Sequence, residues 1–249
     1  MSLNGKTAIV TGGGRDIGRA CVMRLAQEGA KVAINYHSSS EGAESAVKEI
    51  IAAGGEAFCL KGDMTNPDDV NALISTTQEN FGQDIHSLLH VTGGLVARKT
   101  ISEMDIEHWD KVMNLNITSL FYLVKAVEPF MPEGSTIVPF ASQAGRDGGG
   151  GGSIAYAASK GAVMTMARGL AKELGPRIRV NAICPGMIDT DFHNIFTKPE
   201  IRTHVANASP VKREGTSEDV ANLAVFLASD QSAFMTGSNV DINGGMLFS

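Results

Sequence analysis

Near the start of the chain, the apolar run KTAIVT (Lys6–Thr11) leads directly into GGGRDIG and then into a helical pattern that stops at Gly29. A buried strand, a glycine turn and a helix in that order fit the opening of an α/β fold and the setting of a phosphate-binding loop. Backbone N–H groups at such a helix start hold a pyrophosphate, helped by the helix dipole. Gly12, Gly13, Gly14 and Gly18 let the backbone turn and approach a ligand closely. Asp16 is the odd residue, an acid where a phosphate should sit. Aspartate tolerates left-handed backbone and suits the first turn of a helix, so it is expected to cap the helix and face away from the phosphates. The competing reading is a tight strand–helix turn with no ligand.

The remainder of the chain repeats the rhythm. Strands are predicted at Lys31–Tyr36, Glu56–Asp63, Ser87–Gly93, Ser135–Ser142, Ile178–Cys184 and Asn239–Ile242. Helices are predicted from about 41 to 53, from Asn66 as cap with Pro67 at the first position, and from about 106 to 131, 154 to 174 and 217 to 228. The strands read as continuous apolar runs, as expected when helices cover both sheet faces. The expectation is an α/β fold: a single-domain, doubly wound (Rossmann) parallel sheet of about seven strands spanning residues 1–249. No linker or internal repeat interrupts it.

Composition narrows the function classes. The 249 residues carry a net charge of −6 with acids and bases mixed, and no basic block suggests nucleic acid or an anionic membrane. Cys21, Cys59 and Cys184 are scattered and odd in number, which fits a reducing compartment better than a disulfide framework or a zinc site. The sequence lacks a signal-peptide pattern at its start and any apolar run of the ~18 residues a membrane span needs. A cytoplasmic location is expected.

Downstream, SIAYAASKGAV contains Tyr156 and Lys160, four apart and so on one helix face. Ser142 stands at the end of the fifth predicted strand, and Asn116 lies within a long predicted helix. With the glycine loop, CPGMIDT (Cys184–Thr190) and MTGSNVDINGG (Met235–Gly245), these motifs fall in one order along nearly the whole chain. In that order the chain resembles the short-chain dehydrogenase/reductase family, and in general look its 3-oxoacyl-carrier-protein reductase-like members.

The resemblance implies hydride transfer between a nicotinamide and a carbonyl or secondary alcohol. Reducing a ketone needs a hydride at carbon and a proton at oxygen. Tyrosine, with an ordinary pKa near ~10, is a poor base, and a nearby cation favours its phenolate. Lys160 can supply that charge. Tyr156 is then general acid for reduction and general base for oxidation, and Ser142 steadies the carbonyl oxygen. By resemblance, Lys160 also binds the nicotinamide ribose and Asn116 holds a water that links Lys160 to solvent.

The cofactor can be narrowed as well. NAD-preferring folds of this kind place an acid ~20 residues past the glycine loop, on the ribose 2′-OH. Here that position is near Tyr36, and no acid occurs before Glu41. Arg15, His37 and the hydroxyls of Ser38 and Ser39 can instead hold a 2′-phosphate. NADP(H) is expected in preference to NAD(H). The resemblance places the cofactor against Gly12, Gly14, Ile17 and Gly18, against Asp63 and Met64 at the adenine, and against Thr92, Gly93, Pro185, Gly186, Ile188 and Thr190.

Several positions depart from the family. Where it often has Asn-Asn-Ala-Gly after the fourth strand, this chain has His90-Val91-Thr92-Gly93. His90 is expected to be a buried neutral imidazole replacing some lost hydrogen bonds. GRDGGGGGS (Gly145–Ser153) puts a run of five consecutive glycines between Ser142 and Tyr156, a mobile loop that leaves room above the site. Asp189, Asp191 and His193 have oxygen and imidazole ligands at a metal-like spacing. They also begin the family's variable substrate loop, about residues 187 to 211, and hydride transfer needs no metal. No metal is expected.

The related carrier-protein reductases bear basic residues before the fifth strand and at the end of the lysine-bearing helix. Here the first segment has Glu128 and Glu133, and the second keeps Lys172, Arg177 and Arg179. A small free carbonyl or alcohol substrate is therefore expected, with a carrier-linked 3-oxoacyl thioester as the alternative. A dinucleotide sensor and a scaffold with weak or no catalysis remain open, and resemblance implies a homo-oligomer, specifically a tetramer.

Overall fold

The computed structural model describes residues 3–248. Four βα steps and a fifth strand come first: β1 (Thr7–Thr11), α1 (Asp16–Gln27), β2 (Lys31–Tyr36), α2 (Ser40–Ala52), β3 (Ala57–Lys61), α3 (Pro67–Phe81), β4 (Ser87–His90), α4 (Ile106–Met113), α5 (Ser119–Val127) and β5 (Ser135–Pro139). Then follow α6 (Ala144–Asp147), α7 (Ile154–Leu174), β6 (Ile178–Val180), β7 (Ala182–Pro185), α8 (Asp191–Phe196), α9 (Pro199–Ala208), α10 (Ser217–Ala228) and β8 (Asn239–Ile242). The six parallel strands run in the order β3-β2-β1-β4-β5-β6. Strand order reverses beside β1, where Thr7–Val10 pair with Lys31–Ile34 of β2 on one edge and Thr11 lies opposite His90 of β4 on the other. The carboxyl ends of β1 and β4 part there and leave a crevice.

Both faces of the sheet are covered. Cys21, Val22 and Leu25 of α1 pack with Val220, Ala224 and Val225 of α10 on one face. Leu73 of α3, Leu120 and Leu123 of α5, and Val163 and Ala167 of α7 fill the other. Local signals set the helix starts. Asn66 accepts the Asp68 N–H at 3.0 Å ahead of Pro67, and Thr216 and Asp219 form a reciprocal capping box on α10. Among the described residues no helix is long and apolar enough to cross a membrane.

The sheet has six strands where about seven were expected. The predicted strand Ile178–Cys184 divides at Asn181, whose backbone N–H bonds Ile137 O at 3.1 Å while its side chain turns to Met235 O and the Ser238 N–H. Past that point β7 leaves β5 and pairs with β8, touching the main sheet through a Phe140–Ile183 bridge. The predicted helix from 106 to 131 is likewise not regular. It opens into a π turn at Asn114–Thr118 and tightens to a 3₁₀ turn at Glu128–Phe130. In the π turn the Asn116 amide donates to Val112 O and the Ser119 hydroxyl to Leu115 O, so side chains take helical carbonyls. The segment after residue 187, expected to be loop-rich, holds the short helices α8 and α9.

His90 pins this frame together. It is fully buried between Thr11 of β1 and Ser119 of α5. The Ser119 hydroxyl proton goes to Leu115 O, so the imidazole Nε2–H must donate to Ser119 Oγ, 3.1 Å away. Nδ1 is then the acceptor, and the Thr11 hydroxyl donates to it at 3.0 Å while accepting the Thr92 N–H. The chain of bonds is consistent only with a neutral ring, and burial, with the Lys160 charge, holds its pKa down to about 3.

Replacing His90 with Leu leaves a buried hydroxyl without its acceptor, and stability should fall by about 1–3 kcal/mol in denaturant unfolding. The pH dependence follows the same residue. The unfolded chain takes up a proton near pH ~6.5 whereas the folded one resists to far lower pH, so stability falls as pH drops through that window. His90→Asn should show a shallower loss between pH ~6 and ~4 than the unaltered protein. An identical slope would remove His90 from the account.

Candidate active site

The crevice at the carboxyl ends of the strands is a cavity of about 1090 Å³. Its wall includes Gly12, Gly14, Arg15, Ile17, Gly18, Tyr36, His37, Ser38, Asp63, Met64, Thr92, Gly93, Ser142, Tyr156, Lys160, Pro185, Gly186, Ile188 and Thr190. Apart from Gly13 of the loop, the structure thus gathers onto one surface every residue expected in catalysis or cofactor binding except Asn116. That residue is fully buried immediately behind it.

The glycine loop forms a cradle that side chains would fill. A Cβ at Gly14 would lie 2.5 Å from Ser39 O, and one at Gly18 2.0 Å from Gly12 O. Gly12 has φ +64°, and Gly13 N–H reaches Asn35 O at 2.9 Å. Asp16 adopts left-handed backbone, φ 47°, as expected for an aspartate in this loop. It faces away from a capping role, however: no side chain caps α1. The Asp16 carboxylate instead accepts the Asp191 N–H at 3.3 Å, and Arg15 reaches Asp191 at 3.4 Å. The loop is therefore tied to the start of α8 across the crevice. Burial raises the Asp16 pKa, against the pull of the Asp191 N–H and of Arg15.

Farther along the wall, Asp63 Oδ1 accepts both the N–H and the hydroxyl of Thr65 at 2.8 Å. Burial acts to raise its pKa, but these two donors and His37 hold it below the usual carboxylate range. No acid follows Tyr36 closely at the end of β2; His37, Ser38 and Ser39 stand there instead.

Ser142, Tyr156 and Lys160 meet where α7 crosses the ends of β4 and β5. Tyr156 and Lys160 lie one helical turn apart, with the Lys160 ammonium 5.7 Å from the tyrosine ring centre. Lys160 is 4 % exposed and donates to Phe140 O at 2.7 Å. Burial lowers its pKa to about 8. Burial raises the Tyr156 pKa, partly offset by a hydrogen bond with Ser142. The tyrosine therefore holds its proton in this setting. Ser142 Oγ also accepts the Ala144 N–H at 3.1 Å, which fixes the hydroxyl at the end of β5.

Gly93 joins this group to Asn116. A Cβ there would lie 2.6 Å from Asn116 Oδ1 and 2.8 Å from Lys160 Nζ, so both side chains close over a bare Cα. Asn116 exchanges two hydrogen bonds with Gly94, each 2.9 Å. Its position depends on the π turn, which turns the amide toward the β4 end.

Sequence reasoning missed part of the wall. Leu95, Arg98 and Phe192 line the cavity, and Phe192 stacks against Tyr156 at 5.7 Å and Phe196 at 5.2 Å. The aromatic residues of α8 carried a weak signal, three rings in six residues. The lysine's acceptor, a backbone carbonyl, carried none. His193 lines the cavity as well, with Nδ1 2.9 Å from Thr197 Oγ1. Asp189 is engaged by Arg202 at 2.5 Å and Asp191 by the glycine loop. No metal-like trio of His, Cys, Asp or Glu stands together among the described residues.

Comparison with known proteins agrees with this geometry. A family model described as enoyl-(acyl carrier protein) reductase matches residues 12–247. A protein of Synechocystis sp. named 3-oxoacyl-[acyl-carrier-protein] reductase is 37% identical, over 99% of this chain and 98% of its own. A blue fluorescent protein from a metagenomic library, solved in complex with NADPH, superposes with a TM-score of 0.92 at 32% identity and covers 100% of both chains. A short-chain dehydrogenase from Burkholderia cenocepacia J2315, solved with NADP, gives 0.91 at 32% identity over 98% of this chain and 99% of its own.

Asn116→Ala removes an amide that bonds both polar groups of Gly94. Stability should fall by about 1–3 kcal/mol, and hydrogen exchange at the Gly94 N–H should quicken at least tenfold. Unchanged exchange at Gly94 would mean that the loop holds itself.

Proposed function

Because the chain belongs to the short-chain dehydrogenase/reductase family, we propose that it is an NADP(H)-dependent oxidoreductase acting on a carbonyl or secondary alcohol. The observation that carries this reading is the meeting of Ser142, Tyr156 and Lys160 on one wall of the cavity whose far side is the glycine cradle, with Asn116 directly behind Lys160. A sensor or scaffold has no need of a buried lysine and a protonated tyrosine aimed into its binding cavity.

The residues fit a dinucleotide. Backbone N–H groups from the glycine loop and the α1 start hold the pyrophosphate, and Asp63 and Met64 take the adenine. Arg15, His37, Ser38 and Ser39 take a 2′-phosphate, at a strand end without the acid that would select NAD(H). Lys160 holds the nicotinamide ribose. The bound nicotinamide supplies or accepts the hydride. Tyr156, protonated in its buried setting, donates to the carbonyl oxygen in reduction and recovers that proton in oxidation. Ser142, held by the Ala144 N–H, donates to the same oxygen and steadies its developing charge. Lys160, with a pKa of about 8, passes protons toward solvent by way of a water held at Asn116.

A free carbonyl compound is the favoured substrate. Two of the three basic residues kept at the end of the lysine-bearing helix, Arg177 and Arg179, are occupied internally. Arg177 pairs with Glu128 and donates to Met131 O at 2.6 Å, and Arg179 donates to Ser229 O and Ser232 O. The stacked rings of Tyr156, Phe192 and Phe196 supply an apolar wall for one substituent. The relatives named as carrier-protein reductases favour a second reading, a carrier-linked 3-oxoacyl thioester. A homotetramer belongs to the same proposal, supported by the exposed apolar surface of Trp109, Phe121 and Phe130.

Tyr156→Phe should lower kcat by at least ~100-fold with the dinucleotide dissociation constant nearly unchanged, as for loss of a general acid. Retained turnover would place the proton donor elsewhere. Arg15→Ala should weaken NADPH about tenfold or more and spare NADH, measured by calorimetry; equal affinities for the two cofactors in the unaltered protein would refute the 2′-phosphate reading. For substrate class, kcat/KM for an acyl-carrier thioester should be similar to that for the same acyl group on a minimal thiol. A carrier-linked value larger by orders of magnitude, falling steeply with salt, would favour the second reading.

A further inference from the structure

Arg98 lines the catalytic cavity, yet the chemistry above gives it nothing to do. It sits between β4 and α4. Its Nε donates to Phe196 O, at the end of α8, at 3.0 Å, and its Nη1 to Gly151 O, in the five-glycine loop, at 2.7 Å. The next residue adds a third tie, Lys99 N–H to Gly152 O at 3.0 Å. Two bonds to separate segments fix the plane of the guanidinium. Three of its five N–H groups remain.

The neighbouring acids do not claim them. Asp189 and Glu214 both pair with Arg202, at 2.5 and 2.6 Å, and no carboxylate stands within ion-pair distance of Arg98 among the described residues. His193 lies close enough to both arginines to feel their charge, and burial together with that charge holds its pKa down to about 4. The imidazole beside Arg98 is therefore neutral and offers it no compensating charge. Glu107, Asp110 and Lys111 of α4 also line the cavity and are exposed; Arg98 is exposed as well, but is held at two points.

The segment that presents Arg98 is strained. Val96 is β-branched and has φ 65°, in a three-residue turn closed by Ala97 N–H to Leu95 O at 2.8 Å. Backbone of this kind persists where the surroundings enforce it, and it clusters at ligand clamps. Here it accompanies a guanidinium whose orientation is set before any ligand arrives. A fixed planar fork without an anionic partner matches the two oxygens of a carboxylate.

We infer that Arg98 is a specificity-determining residue whose open N–H face binds a carboxylate carried by the substrate, so that the preferred carbonyl compounds are oxo acids. The inference rests on the carbonyl-reductase reading. Reduction leaves the carboxylate untouched: hydride goes to the carbonyl carbon, the Tyr156 proton to its oxygen, and Arg98 only orients the far end.

The test is a homologous series of oxo acids, differing in the spacing between carbonyl and carboxylate, each beside its methyl ester, with NADPH. At the best spacing, kcat/KM for the acid should exceed that for the ester about tenfold or more. Arg98→Gln should bring that acid-to-ester ratio close to one, and Arg98→Lys, which keeps the charge but not the fork, should give an intermediate ratio. Equal rates for acids and esters throughout the series in the unaltered enzyme, or a ratio that survives Arg98→Gln, overturns the inference and leaves the reductase reading standing. Failure to reduce any carbonyl compound while NADPH binds overturns that reading and this inference with it.

Discussion

The ammonium of Lys160 is a cation removed from water, and such a group persists only with partners in place. Its main partner is the carbonyl of Phe140, which is available because β5 ends at Pro139 and the chain turns there. Space for the ammonium exists because residue 93 has no side chain. A wall behind it exists because the helix opens into a π turn and turns Asn116 toward Gly93 and Gly94. The strand end, the bare glycine and the irregular helix are thus three answers to one requirement. Each sits on a different part of the sequence, and the sheet brings them within a few ångströms. Removing any one would leave a buried charge less well satisfied, which links the stability of this region to its chemistry.

His90 shows how the chain meets a related demand with different atoms. Where relatives often carry an asparagine, this protein uses a neutral imidazole to join β1, β4 and α5 through hydroxyls. The ring reaches farther than an amide and ends on Ser119, one residue past the π turn. The frame of the site is therefore braced from the core side. Asp16 is a second local solution. Its carboxylate, unwelcome near a phosphate, turns to the α8 backbone and ties the glycine loop to the substrate side of the crevice.

Much of this was legible in the sequence because it rests on repeated apolar patterns and on backbone freedom. The β1 and β2 runs, the Asn66–Pro67 helix start and the glycine loop all carry their physics in residue type. What escaped was set by competition between side chain and backbone. Asn181 divides a strand by drawing on Met235 O and Ser238, and Asn116 and Ser119 open a helix by taking its carbonyls. Periodicity cannot register such effects. In the site, the motif residues could be named, but the acceptor for Lys160 is a carbonyl and Arg98 earns its place only through loops distant in sequence. His193 drew notice for its spacing to two aspartates, yet those acids turn to arginines and to the glycine loop.

The central claim is that this cavity moves a hydride from a nicotinamide to a carbonyl carbon, with the proton coming from the protein. The most direct measurement follows the hydride itself. Wild-type protein would be incubated with NADPH deuterated at the reactive ring carbon and a panel of carbonyl compounds, and the alcohols examined by mass spectrometry and NMR. The account predicts one deuterium on the carbinol carbon, from one face of the ring only, and none on the hydroxyl after exchange with water. Tight binding of the labelled cofactor with no labelled alcohol from any member of the panel would contradict it.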